Sequence, residues 1–509
     1  MTVDLSGINL EAAGIDLDAA IDELEPLLVI IRPHAVSPQQ LSSLLKGAWS
    51  RLGKLRQALD DLCRMVDDDA EFARHIGQAA KVIEAGRSFS LAECESMLDA
   101  ACQMDYVKDS GAETDAALQH CRALVAAIIQ QYRRAAEFEM QAASLSRLPS
   151  ALKWKYQANR AQLLEDLGRD FMDNEALGDS IDLLEEDVLE LASRQQRPDE
   201  WAATQNQLGS ALGILGQRER GIHSLEKAIM SFENALEVRT REHDSAAWAE
   251  TQNNLGNALG ILAHRHNDTG MLEKAITAFE SALEERTFDK TPAQWATTMN
   301  NMGAALLGLG RREKDKTLLK RAIETYQDVL KVWTRERVPF IWAATMNNLA
   351  TSLRLLGEQR KGPRTLEQSV AAYRSALAVR ACESTPEDCA TTPNNLGAAL
   401  HKLGERQQSA EILTTAVTAY EQALRVLNRD NNPMEWAMTR ANLAATRKLK
   451  AALTDDIELV QTALSDFGAV AKVFRGASHA HYYELVIEQI ALTRKLEAKI
   501  LETTYGQQD

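Results

Sequence analysis

Residues 248–295 read WAETQNNLGNALGILAHRHNDTGMLEKAITAFESALEERTFDKTPAQW. The stretch begins and ends on tryptophan, and the interval recurs. Trp154, Trp201, Trp248, Trp295, Trp342, Cys389 and Trp436 stand 47 residues apart, and Tyr483 falls on the next position. A fixed period of this size marks a stacked array of helical units. A chain of 509 residues is in any case too long for one compact core.

Other positions recur inside the frame. Six residues after the tryptophan come Asn254, Asn301, Asn348, Asn395 and Asn442. They are followed by Leu208, Leu255, Met302, Leu349, Leu396 and Leu443, and then by a small residue, Gly209, Gly256, Gly303, Ala350, Gly397 or Ala444. A small residue there lets a second helix approach closely. That helix carries Ala228, Ala275, Ala322, Ser369, Ala416 and Ala463, four residues before Phe232, Phe279, Tyr326, Tyr373, Tyr420 and Phe467. Spacings of four and three put these groups on one helical face. Pro198, Pro292, Pro339, Pro386 and Pro433 precede their frame positions by three residues, where a first helical turn tolerates the missing N–H. In Thr291-Pro292 and Asn432-Pro433 a capping side chain is expected. Each unit therefore reads as helix A, a turn near Gly216, Gly310, Gly357 or Gly404, helix B, and a polar connector.

The series Leu-Gly, Ala, Phe/Tyr, Ala on two antiparallel helices resembles the tetratricopeptide repeat. Asn-Asn-Leu-Gly looks most like its long-period branch, which includes kinesin light chain. The resemblance covers about 154–482, and it implies an all-α, right-handed superhelical solenoid of helix pairs with a peptide-binding groove. The family period is 34 residues; growth to 47 implies longer helices or an enlarged turn such as Gly216 to Leu225. The tryptophan also lies earlier than the family's helix A tryptophan, so it is expected largely buried between units rather than at a ligand.

The expected organisation is an acidic segment 1–37, a helical region 38–153 with eroded repeat pairs, an array of units 154–482 starting at 154, 201, 248, 295, 342, 389 and 436, and a closing helix and tail 483–509. Ser37-Pro38 opens one helix, and Ser90 with Glu93 forms a capping box for another. Residues 10–31, LEAAGIDLDAAIDELEPLLVII, form an acidic amphipathic stretch that either packs on 38–60 as a first helix or docks on basic groups elsewhere. Pro393, one turn into the unit at Cys389, is expected to delay the start of helix A to about Thr392 or to bend it.

The net charge is −16, which disfavours a nucleic-acid or anionic-membrane partner. No apolar run reaches membrane length and no leader pattern opens the chain, so a cytoplasmic location is expected. Cys63, Cys94, Cys102, Cys121, Cys382 and Cys389 show no CxxC or zinc spacing and read as reduced, mostly buried thiols. Phosphate-loop, dinucleotide, hydrolase and zinc motifs are missing, so no enzyme activity and no cofactor is expected. His264 and His266 read as loop residues alternating in a turn.

What rises above background is the carboxamide pair. Asn206, Asn253, Asn300, Asn347 and Asn394 form one row and Asn254, Asn301, Asn348, Asn395 and Asn442 the other. A carboxamide both donates and accepts, so stacked rows can pair with the backbone of an extended peptide, or with one another inside the array. Twelve residues after the frame position the series breaks into Gly213, Gly260, Leu307, Arg354, His401 and Lys448. With Lys402, Arg440 and Arg447, these bases offer positive charge to an acidic segment or a C-terminal carboxylate. The expected function is a scaffold or adaptor binding a peptide or protein; the alternative is a regulatory sensor controlling a separate effector such as a protease.

Overall fold

A computed structural model of the chain describes residues 27–35, 38–65, 70–84, 90–104, 111–379, 386–430, 432–476 and 480–505. Among the described residues every regular element is a helix. The chain forms two compact units, 1–305 and 306–509.

In the first unit a helical turn at 27–31 precedes α1 (Pro38–Arg64), α2 (Ala70–Glu84), α3 (Leu91–Cys102), α4 (Ala112–Ile128) and α5 (Tyr132–Ala143). Leu27, Leu28 and Ile31 are buried in one core with Leu44, Leu52 and Leu55 of α1. They form the apolar end of the acidic stretch; its charged part lies outside the described residues. Ser90 opens α3 as expected, accepting from Glu93 N–H. Then come α6 (Ser150–Phe171) and α7 (Asn174–Leu183), which runs into a π-helical segment, Leu184–Val188. Two long pairs follow, α8 (Pro198–Arg218) with α9 (His223–Leu236) and α10 (Ser245–His266) with α11 (Thr269–Leu283). The unit boundary falls inside α12 (Pro292–Glu313). The second unit continues with α13 (Lys316–Val332), α14 (Pro339–Glu358), α15 (Arg364–Leu377), α16 (Pro386–Gln407), α17 (Ala410–Leu424), α18 (Pro433–Thr454), α19 (Ile457–Gly476) and α20 (Ala480–Tyr505). Here α14, α16 and α18 are A helices, each packed on the B helix that follows, and α20 stands in the place of another A helix beside α18 and α19.

The extra length relative to the short repeat sits in the helices. The A helices run 20 to 22 residues, and the A–B turns are mostly brief. In the tight turns a residue in the left-handed region (Met172, Asn267, Lys314, Gln408, Asp455) ends one helix. The next residue, Asp173, Asp268, Asp315, Ser409 or Asp456, caps the following one by accepting its free N–H groups. Where Gly221 or Gly362 holds that place, no side chain caps and the turn is longer.

Four expectations need correction. Asn432 does not cap α18 with its side chain; its carbonyl accepts Trp436 N–H at 2.9 Å, which already starts the helix. The frame tryptophans are half-buried rather than largely buried: connector side chains meet three of the rings, Phe288 edge-on to Trp295, Arg194 over Trp201 and Arg335 over Trp342, while Trp436 packs on Ala390, Ala423 and Leu427. Helix α16 does not start late: it begins at Pro386 and carries Pro393 in its interior, which excludes the delayed start of the two expected outcomes. His264 and His266 belong to the last turn of α10.

Between A and B the small residue is a steric requirement. A Cβ on Gly256 would stand 2.7 Å from the Phe279 ring, and Gly209 and Gly397 meet Phe232 and Tyr420 in the same way. One A-helix turn pair further on, Gly216, Gly357 and Gly404 receive Leu225, Leu366 and Leu413.

Candidate interaction face on the A helices

A buried threonine stands three residues after each frame position from 201 to 436: Thr204, Thr251, Thr298, Thr345, Thr392 and Thr439. Thr204 Oγ1 accepts from Trp154 Nε1 at 2.9 Å. Thr251 and Thr298 each accept from an arginine guanidinium of the preceding connector, Arg239 and Arg286, at 3.0 Å. Thr298 Oγ1 in turn donates to Asn253 Oδ1 at 3.0 Å. This row is the polar joint between consecutive pairs. The six identical residues in the frame were its sequence signal.

The two asparagine rows have different surroundings. Asn253 and Asn347 are buried, while Asn206, Asn254, Asn300, Asn301, Asn348, Asn394 and Asn395 are half-buried and Asn442 is exposed. Asn254 Nδ2 donates to Asn206 Oδ1 at 3.4 Å, and Asn395 Nδ2 to Asn347 Oδ1 at 3.5 Å. At Asn206 and Asn347 the earlier row thus accepts from the later-row carboxamide of the next A helix, and both rows include half-buried members. Asn394 Oδ1 is buried with no partner.

A second row went unread in the sequence. Arg218, Arg265 and Arg406, seventeen residues after the frame position, reach back to the end of the preceding A helix. Arg265 donates to the carbonyls of Gly216 at 2.6 Å and Gln217 at 3.2 Å, and also to Gly221. Arg406 donates to Gly357 at 2.8 Å and Gly362 at 3.0 Å. The last carbonyls of a helix lack internal partners and carry its negative dipole end, so a guanidinium there both bonds and neutralises. Replacing Arg265 with Ala is expected to cost about 1–3 kcal/mol and to speed amide exchange around 216–222 while leaving 357–362 unchanged. Equal protection in parent and variant would show that water replaces the guanidinium without loss.

The expected basic groups of the second unit are mostly neutralised. Arg354 pairs with Glu358 at 2.5 Å. Arg440 and Arg447 share Asp466 at 2.8 and 2.5 Å, and Arg440 also lies over the Trp436 ring. Lys402 pairs with Glu405 at 2.8 Å. Lys448 differs. Its Nζ donates to Gln489 Oε1 of α20 at 2.6 Å, no carboxylate among the described residues pairs with it, and burial pushes its pKa down. His401 lies beside it and accepts from or donates to Thr446 Oγ1 at 3.0 Å; burial and the Lys402 and Lys448 charges hold its pKa low.

Titratable groups elsewhere read as structural. His120 Nδ1 contacts Glu139 Oε1 at 2.6 Å between α4 and α5. Burial pushes the neighbouring Cys121 thiol and Tyr156 hydroxyl upward, which is the reverse of an activated nucleophile. Cys63, Cys94, Cys102 and Cys121 are free, and the side chains of Cys382 and Cys389 lie outside the described residues. Among the described residues no group of His, Cys, Asp and Glu could hold a metal ion, and no helix is long and apolar enough to cross a membrane.

Residues 295–332, from within α12 to the end of α13, match the family profile described as tetratricopeptide repeat. Similar solved structures include BtubC (BKLC) from P. vanneervenii, 20% identical over 51% of this chain and 91% of that one, TM-score 0.35. Another is the TPR2AB domain of yeast Sti1 in complex with pHSP90, 18% identical over 58% and 98%, TM-score 0.20. The sequence matches none of the curated proteins.

Proposed function

We propose that the chain is a non-enzymatic scaffold of tetratricopeptide-type helix pairs, the repeat whose profile residues 295–332 match, and that the A helices of its second unit hold an extended peptide or protein segment bearing an acidic side chain or a free C-terminal carboxylate. One observation carries the reading: Lys448 is a half-buried ammonium with a carboxamide neighbour and no counter-charge, among cations that all have one. A ligand carboxylate placed there gains a charge-assisted hydrogen bond without displacing an internal ion pair. Asn348, Asn395 and Asn442, partly or fully exposed on A helices of the same unit as Lys448, would pair with the ligand backbone. Asn206, Asn253, Asn300, Asn347 and Asn394 would hold the A helices in register. The acidic surface of a chain with net charge −16 speaks against nucleic acid, and four free thiols suit a reducing cytoplasm.

The test is selection of a random peptide library with free C-termini against the full chain, followed by titration of the selected peptides. Lys448→Met, which keeps the aliphatic stem, is expected to weaken them about tenfold, or ~1.4 kcal/mol, as is amidation of a C-terminal carboxylate. Peptides that bind parent and variant alike would sink the assignment.

A further inference from the structure

The A helices share one feature that α20 breaks. On each of α8, α10, α14, α16 and α18 the small residue eight positions after the frame residue is buried beneath the B helix that follows, and so is the residue fifteen positions after it. On α20, whose frame residue is Tyr483, these two places are Ala491 and Ala498, and both are exposed. Ile487 and Leu501, on the same face, are 42% and 40% exposed, and Leu485 and Leu492 beside them are 46% and 43%. An A helix thus presents its B-helix side uncovered, with the small residues that admit a close helix still in place.

Ile487, Ala491, Arg494, Ala498 and Leu501 follow the four-and-three spacing of a helix-packing seam. Charge along this face is polarised. Glu484 and Glu488 stand in its first half, and Arg494, Lys495 and Lys499 in its second, where Glu497 lies on the opposite flank of the seam from Lys495 and Lys499, with Glu502 at the far end. None of these groups has an ion-pair partner among the described residues. A helix that is acidic toward one end and basic toward the other is complementary to itself when turned antiparallel.

We propose that α20 is the interface of a homodimer, in which the same helix of a second copy lies antiparallel in the place a B helix would take. With Ile487 opposite Ala498 of the second copy, Ala491 meets Arg494 near the two-fold axis. Glu488 then falls between Lys495 and Lys499 of the other chain, and the contact occurs twice by symmetry. The apolar seam supplies the association and the charges fix its antiparallel sense.

Light scattering and sedimentation of the full chain test this. The parent is expected at twice 56.3 kDa at a chain concentration of about 100 μM, shifting toward monomer as salt screens the pairs. Glu488→Lys sets like charges against each other and is expected to weaken the dimer at least tenfold; Glu488→Lys with Lys495→Glu is expected to restore it. Both positions are exposed to solvent in one chain, so circular dichroism should be unchanged throughout. A parent that stays monomeric overturns the proposal and leaves the face to a helix of another protein. A dimer indifferent to Glu488→Lys, or one the double exchange fails to restore, overturns it equally.

Discussion

Replacing Phe279 with alanine is expected to destabilise its unit by about 3–5 kcal/mol, the range for truncating a fully buried aromatic ring. The ring is 2% exposed and lies on Gly256 so closely that a Cβ there would come within 2.7 Å. The two sides of the site, α10 and α11, are joined by a turn of only two residues, so neither helix can shift far to fill the cavity. The loss is measured by urea denaturation, and amide exchange should rise first in α10 and α11. In a linear array each pair contacts mainly its neighbours, so distant helices should respond less. Trp295→Ala makes the contrast: its ring is half-buried, and its expected cost is correspondingly smaller, about 1–2 kcal/mol. A Phe279→Ala loss no greater than that of Trp295→Ala would mean that the A–B contact is not where the stability of a pair resides.

That ranking shows what was legible in the sequence. The packing between helices A and B could be read, because it is made of apolar and small residues at helical spacings: Gly256 and Phe279 announce each other by recurrence and by size. The polar joint between pairs was harder. Thr251 recurs as faithfully as the asparagines and Arg239 and Arg265 less so, but threonine and arginine are common on solvated helix faces, and only coordinates reveal that Thr251 is buried and that Arg265 ends on carbonyls. Trp201 misled by type, since a large aromatic at a fixed position suggests a core residue, whereas the connector covers only part of it. The charges of the candidate site were legible as residues but not as free charges. Arg440 became a binding candidate by its place on helix A, and its ion pair with Asp466, 26 residues away on α19, could not be foreseen from spacing within one helix. Lys448 emerged because the neighbouring cations are paired.

The pH dependence of stability should turn on Glu165. This carboxyl, on α6, is 3% exposed; Ser210 Oγ donates to Oε1 at 2.8 Å, and Oε2 is buried with no partner. Burial first and the neighbouring Asp166 second push its pKa up to about 7, against the pull of Arg169. The folded chain therefore keeps a proton that the unfolded chain, near the ordinary value of 4.5, releases. The stabilisation from the neutral acid is fully present below that ordinary value, and it is lost as pH rises through the folded value. Across this window it falls by on the order of 3 kcal/mol. Glu165→Gln keeps the acceptor for Ser210 and removes the ionisation. Other groups titrate equally in both proteins, so the stability of variant minus parent isolates this one. Measured by urea denaturation at pH 5 and pH 8, that difference should move in the variant's favour by on the order of 2–3 kcal/mol at the higher pH. A difference that stays flat between the two would mean that Glu165 ionises in the folded protein as it does in water, with Arg169 moving to meet it.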